Sequence, residues 1–383
     1  MLLENNIGSE ISIVQLAHGR VIPYYSSAYS MRCNSLLENM PNHKIISVGG
    51  PVFRDENNGV AFQFHSILLT GISVVKGKRS FEIMVSRGRF LRKRFIKYAK
   101  REIERSKVVV FEGPWHFETF KSLLKDRIVI YDAHNVEFIL RNGNIFQNYV
   151  KEIEGDLAER ADGIFCVTKS DMNVFSKIYS IPPEKLFLLP HYQIKVGRTW
   201  QGLETRNAVF IGSVYSPNID ALDSIKQMAA RVPDVSFHVL GNFPKFYRRG
   251  SPKNVIFDGE VNDAKKEEII CNSFVALNPV VEGGGRNLKM IDYMAHGVPI
   301  ISTKIGCRGL YEYGIEKIID ISEPEGFAER IIALKNEKER MLRESGLLLD
   351  AYQKLVKVES SKDSVSVLKE IIQRKNKQDR DNH

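Results

Sequence analysis

The sequence predicts an α/β protein of two doubly wound, Rossmann-like domains followed by a C-terminal helical segment. Three observations lead there. Apolar runs rich in Val, Ile, Leu and Phe alternate with helical patterns along most of the 383 residues. The runs lack strict in/out alternation, as strands buried on both faces of a parallel sheet do. A polar stretch, "IKVGRTWQGLETRN" (194–207), breaks the series, and the same alternation then begins again, which suggests a second domain of the same kind.

In the first series the expected strands are residues 11–18, 43–50, 107–113, 127–134, 163–168 and 185–191. "HFETFKSLLK" and "SDMNVFSKIYS" read as helices between them, the latter with Ser170 or Asp171 as its N-cap. In the second series the expected strands are 208–213, 235–242, 254–261, 273–280, 299–304 and 317–322. "PNIDALDSIKQMAARVP" is the clearest helix there, with Pro217 at its start. The chain is mostly helical from about residue 323, and "QRKNKQDRDNH" has the composition of a frayed tail. The expected domains are 1–193, 206–345 and a terminal helix and tail at 346–383.

A hydrophobic content of 43% with 26% charged residues fits a globular protein rather than disorder. No apolar run reaches the roughly 18 residues that a membrane span needs. "MLLENNIGSE" has no basic n-region and is interrupted by Glu4, so the expectation is no secretory signal. Cys33, Cys166, Cys271 and Cys307 are scattered without a C-x-x-C pair, which fits buried thiols in a reducing cytoplasm. The net charge of +9 is local: from Lys76 to Lys107 thirteen Lys or Arg stand against Glu82, Glu102 and Glu104. Within it, "FLRKRFIKYAKREIERSK" places Leu91, Phe95, Tyr98 and Ala99 at helical spacing. This is either an amphipathic helix with a solvated charged face or a surface for anionic lipid, giving a peripheral contact with the cytoplasmic face of a membrane. Nucleic acid is disfavoured, because no aromatic–basic recognition motif accompanies the charge.

The segment "VVEGGGRNLKMIDYMAHGVPIIS" (280–302) carries the most chemistry. An acidic residue and three glycines follow an expected strand, and a helix closed by Gly297 and Pro299 comes next. Ligands of open α/β sheets bind beyond the carboxyl ends of strands. A helix N-terminus there offers unpaired N–H groups, and glycines let a diphosphate approach the backbone. Arg286 and Lys289, three residues apart, are expected on one helical face beside it. The alternative is a tight strand-to-helix turn with both cations solvated. Leu288, Ile291, Met294 and Ala295 form the buried stripe either way.

These residues resemble the donor segment of the retaining glycosyltransferases of family 4, whose pattern is Glu-Gly-Gly-Gly-Thr-Arg-Leu-Lys, an acidic residue, then Met-Ala-x-Gly-x-Pro. "YDAHNVE" (131–137), "LAERADGIFCVTKSDMNVF", "AVFIGSVYSPNIDAL" and "IGCRGL" (305–310) resemble further family segments, so the likeness runs over roughly residues 107–311. It implies a GT-B fold, two domains facing across a cleft, and transfer of a sugar from a nucleotide-diphosphate sugar to a glycan or lipid-linked acceptor. Configuration would be retained without a metal. Residue by residue, it implies that His134 and Glu282 contact the transferred sugar. Gly212, Gly283, Gly284, Gly285, Asn287 and Leu288 would line the nucleotide site, and Asp292 would replace the Glu that holds the ribose. The loop "GSVYSPN" lacks the cations that many members carry, so Arg286 and Lys289 are expected to take the diphosphate charge. Arg32 and the pair Tyr24–Tyr25 are candidates for the acceptor side or an ordinary loop and helix start. The rival readings are a nucleotide-sugar epimerase or hydrolase of the same shape and a non-catalytic binding module.

Overall fold

The computed structural model describes residues 11–19, 21, 28–37, 40, 42–48, 60–64, 81–88, 92–189, 196–212, 216–283, 286–359 and 363–381. The chain divides into two compact units, residues 1–191 with 361–383, and residues 192–360.

The first unit is a seven-stranded parallel sheet in the order β3-β2-β1-β4-β5-β6-β7. Its strands are β1 (Ile13–Ala17), β2 (His43–Val48), β3 (Val60–Phe64), β4 (Val108–Phe111), β5 (Ile128–Ala133), β6 (Gly163–Cys166) and β7 (Leu186–Leu188). Its helices are α1 (Ala28–Ser35), α2 (Phe81–Arg87), α3 (Lys93–Arg105), α4 (Gln147–Arg160) and α5 (Lys169–Tyr179). Both faces of the sheet are covered, which accounts for the unbroken apolar runs. Along β4, Val109 and Phe111 join the core formed with Phe95, Ala99 and Ile103 of α3 and Val150, Ile153 and Leu157 of α4. Val108 and Val110 face the opposite core, with Leu36 beyond α1.

That second face is completed by the last helix of the chain, Ser364–Asp381. It buries Val367, Leu368, Ile371 and Ile372 in the same cluster as Ile130 and Phe165, each side chain contributing about 1.5–3 kcal/mol. A Cβ at Gly163 would lie 2.4 Å from Ile371, so glycine at the start of β6 is what lets this helix seat. The tail expected to fray is therefore helical through Asp381. A 3.6-residue apolar stripe anchors its first half, and the polar residues that suggested disorder form its outer end.

The second unit is a six-stranded parallel sheet in the order β10-β9-β8-β11-β12-β13. It comprises β8 (Asn207–Ile211), β9 (Ser236–Leu240), β10 (Val255–Gly259), β11 (Val275–Asn278), β12 (Ile300–Ser302) and β13 (Asp320–Ile321). Its helices are α6 (Ser216–Arg231), α7 (Asp263–Cys271), α8 (Leu288–His296), α9 (Phe327–Leu334) and α10 (Lys338–Glu359); the terminal helix of the first unit is α11. The boundary expected at residue 345 falls inside α10. One face packs Phe210, Val239 and Leu277 against Leu222, Ile225 and Ile331. The other packs Val209, Ala276 and Ile300 against Ile291, Met294, Leu348 and Leu355.

Several local expectations change. The strand β3, "VAFQF", was not anticipated, because its short apolar run is broken by Gln63. "HFETFKSLLK" is not one helix but a single α turn, Phe117–Phe120, between two 3₁₀ turns. Phe117 and Phe120 bury at a spacing of three, which suits the tighter winding. The cap of α5 is Thr168, whose hydroxyl accepts from the Asp171 amide. All four cysteines are free and buried. Among the described residues no helix is long and apolar enough to cross a membrane.

Candidate functional site

In each sheet the strand order reverses once, between β1 and β4 in the first unit and between β8 and β11 in the second. The carboxyl ends of those strand pairs are where open α/β sheets leave a crevice, and each end carries a cluster of charged or polar side chains.

In the second unit, Gly212 follows β8. A Cβ there would stand 2.9 Å from the Phe210 ring and 3.2 Å from that of Phe243, so only glycine admits both rings. Beyond β11 the chain passes Glu282, which is exposed, and Gly283. Gly283 has φ +137, and its α-carbon faces the Arg308 guanidinium, 2.7 Å from where a Cβ would be. The positive φ favours glycine there, and a side chain would also have to push the Arg308 guanidinium aside. Gly284 and Gly285 lie outside the described residues.

Helix α8 begins at Leu288 with Asn287 in the cap position and no side-chain cap. Arg286 therefore precedes the helix and does not share a helical face with Lys289, contrary to the sequence expectation. Neither cation is solvated: Arg286 is 9% and Lys289 8% exposed. The cause is packing around the whole helix, since every residue from Lys289 to His296 is buried. The turn carrying Arg308 and Gly309 approaches from β12, and the Arg286 Nε donates to the Gly309 carbonyl at 3.3 Å. The Arg286 guanidinium is 5.9 Å from the Tyr313 ring centroid. Lys289 Nζ donates to Asn218 Oδ1 at 2.9 Å, in the first turn of α6. It also lies 4.4 Å from the centre of the Phe210 ring. Burial, with repulsion from Arg308 second, lowers the Lys289 ammonium to about 7. A buried cation so close to neutrality is set to gain from an incoming anion.

Asp292 stands one turn further along α8, 5% exposed. Its carboxylate meets Lys266 of α7 at 3.2 Å. Burial pushes its pKa up, and Lys266 opposes that.

In the first unit, His134 follows β5. Its Nε2 contacts Glu112 Oε2 just beyond β4, at 2.5 Å, and Asp132 Oδ2 at 3.3 Å. Burial alone would lower this imidazole, but Asp132 and Glu112 outweigh it and lift His134 to about 9. Asp132 is held below the usual carboxylate range despite burial, chiefly by the Arg32 charge and then by His134. Glu112 is pushed up by burial and by Asp132. Gln15 Nε2 donates to Glu112 Oε1 at 2.6 Å, and Cys33 Sγ donates to Oε2 at 3.3 Å. The Tyr29 ring lies 4.9 Å from that of His134. Arg32, a candidate for the acceptor side, is engaged instead within the unit. It forms a fork on Asp132 and donates to the Leu189 carbonyl at 2.8 Å. Tyr24 and Tyr25 lie outside the described residues.

Cys33, Glu112 and His134 place one ligand atom each within 4.8 Å of one another, the spacing of a metal site. The chemistry does not suit one. Burial and the Glu112 charge hold the thiol well above its usual value, where a metal needs thiolate. The Arg32 charge also adjoins the cluster.

The sequence singled out His134, Arg286, Lys289 and Asp292 but not their partners. Arg308 was visible only as part of "IGCRGL", while Glu112 and Asp132 were single acids at the ends of apolar strands. An acid just past a buried strand is a usable signal, because burial there requires a partner.

Residues 205–337 match the family model for glycosyl transferases group 1. An uncharacterised 44.6 kDa protein in the cps region of Klebsiella pneumoniae is 24% identical over 191 residues, covering 46% of this chain. The match spans about half, 48%, of that relative's length. Among solved structures, sucrose-phosphate synthase from Thermosynechococcus elongatus superposes with a TM-score of 0.67 at 11% identity, covering 94% of this chain and 98% of that one. Anabaena HepE in complex with UDP gives 0.63 at 12% identity, covering 96% and 100%. The chain thus has the two Rossmann-like domains and C-terminal helical segment of the GT-B architecture, and residues 205–337 of its second unit are similar to glycosyl transferases group 1.

Proposed function

We propose that the protein transfers a sugar from a nucleotide-diphosphate sugar to a hydroxyl of a glycan or lipid-linked acceptor, with retention of configuration and without a metal. The observation that carries this reading is the buried Lys289 ammonium beside Gly283, Arg286 and Arg308 at the carboxyl end of the second sheet. A cation held in low dielectric with a depressed pKa is stabilised by a diphosphate that neutralises it. Charge grows on that diphosphate as the sugar C1–O bond breaks, so these cations act more strongly on the transition state than on the bound donor. The acceptor oxygen bonds to C1 on the face the phosphate leaves, and its proton passes to the departing phosphate oxygen. His134 and Glu282 would contact the transferred sugar. Gly212, the glycine triplet, Asn287 and Leu288 would line the nucleotide, and Asp292, from its place beside Lys266, would reach the ribose.

A thermal-shift panel of UDP-, GDP- and ADP-sugars identifies the donor, since a ligand that binds only the folded chain raises its melting point. HepE, solved with UDP, makes uridine donors the first to try. With the donor known, replacing Arg286 and Lys289 together by Ala should reduce turnover by about 100-fold or more. A folded double variant with unchanged turnover would remove the proposal. Free or epimerised sugar formed without acceptor would instead favour a hydrolase or epimerase.

A further inference from the structure

We infer that Glu112 is a positioning residue that keeps His134 as the imidazolium, directing its Nδ1–H outward to an oxygen of the donor sugar or its phosphate. The inference rests on the proposed transferase reading for what His134 touches, but not for its charge. The geometry is that of a buried cluster that must balance its charge. Glu112 and Asp132 come from the ends of adjacent strands and are both fully buried. The Arg32 guanidinium neutralises Asp132 from α1. One negative charge then remains beside His134 Nε2, and burying it unpaired would be costly.

The balancing proton can sit on Glu112 or on His134. Three donors converge on Glu112: Gln15 Nε2, Cys33 Sγ and His134 Nε2 itself. Hydrogen bonds donated to a carboxylate favour its ionised form, so the proton resides on the imidazole. The other groups around His134 do not compete. From the end of β1, His18 is lowered to about 3 by burial and then by His134. Tyr29 of α1 is held well above its usual value by burial, and Cys33 likewise. Glu137 is paired with Arg141 on the turn that follows. With Nε2 tied to two carboxylates, Nδ1 is the ring nitrogen with no hydrogen-bond partner among the described residues. The side chain is 14% exposed. His134 so held is a cationic hydrogen-bond donor and cannot serve as a general base.

The test is an NMR titration of the histidine ring carbons in the full chain, with the His134 signal identified by its loss in His134→Asn. His134 should stay cationic through pH 8, titrating near 9. In Glu112→Gln, which keeps the shape but removes the charge, its pKa should drop clearly below the wild-type value, with Asp132 still supporting the cation. Glu112→Asp should restore much of the elevation. In activity, kcat/KM of both proteins falls above pH 7 as Lys289 loses its proton, so the readout is their ratio: wild type over Glu112→Gln should widen by about fivefold or more between pH 6 and pH 8.5. A His134 that is neutral at pH 7.5 in the wild type, or unmoved by Glu112→Gln, overturns the inference. A cationic His134 in a chain that transfers no sugar would leave the inference standing and defeat the transferase reading instead.

Discussion

At the scale of single residues, the chain retains buried charges that a purely structural protein would do better without. Lys289 is the clearest. Its folded pKa, about 7, lies below that of a free lysine, so the folded state disfavours the proton that the unfolded chain binds. That cost is full below pH 7 and fades as pH rises toward about 10. Lys289→Met keeps the length and removes the charge. It should raise the melting temperature by a few degrees at pH 6, with the gain shrinking toward pH 10, and should weaken donor binding. A variant less stable than the wild type at pH 6 would show that Lys289 serves the fold and not a ligand. Such residues were legible in part. Arg286, Lys289 and His134 stand out because their residue types are unusual at the end of an apolar run. Arg286 was misplaced onto a helix face because nothing in "GGGRNLK" marks where the first helical residue falls. The partners Arg308, Asn218 and Glu112 were not legible, nor was the pairing of Arg32 with Asp132, because each reaches its site from a distant part of the chain.

At the scale of elements, the parallel strands were the most legible feature, since burial on both faces writes itself as continuous apolar runs. Helix ends were less so, and the last helix was misread because its polar outer half dominates its composition. Yet α11 covers one face of the first sheet, where Gly163 admits Ile371. Deleting residues 361–383 would expose Phe165, Ile130 and Phe187 to water. The truncated chain should lose cooperative unfolding of the first unit or become insoluble, read by calorimetry and by its recovery from the soluble fraction. An unchanged melting profile would mean that α11 contributes nothing to that core.

At the scale of the whole molecule, the net charge of +9 is concentrated in the basic stretch. Helix α3 turns Phe95, Ala99 and Ile103 to the core and leaves Lys93, Arg94, Lys97, Lys100, Arg101 and Arg105 exposed. Glu102 and Glu104 pair with only part of this face, and the residues before it, 76–80 and 89–91, lie outside the described ones. We propose that the face meets an anionic membrane surface, where each basic residue adds about 1 kcal/mol. Flotation with anionic liposomes should carry the protein, and binding should fall on replacing Lys93, Arg94, Lys97 and Lys100 by Gln. Equal flotation with neutral lipid would contradict a charge-driven contact.

The central claim is that the carboxyl end of the second sheet receives a diphosphate through Lys289. It is tested most directly by calorimetric titration of the preferred nucleotide-diphosphate sugar in buffers of different ionisation enthalpy. That diphosphate diester does not titrate near neutrality, so any proton uptake belongs to the protein. At pH 8 the wild type should take up a proton approaching one per ligand bound, at pH 6 almost none, and Lys289→Met almost none at either pH. Tight binding with no uptake at pH 8, or binding that Lys289→Met leaves intact, would contradict it.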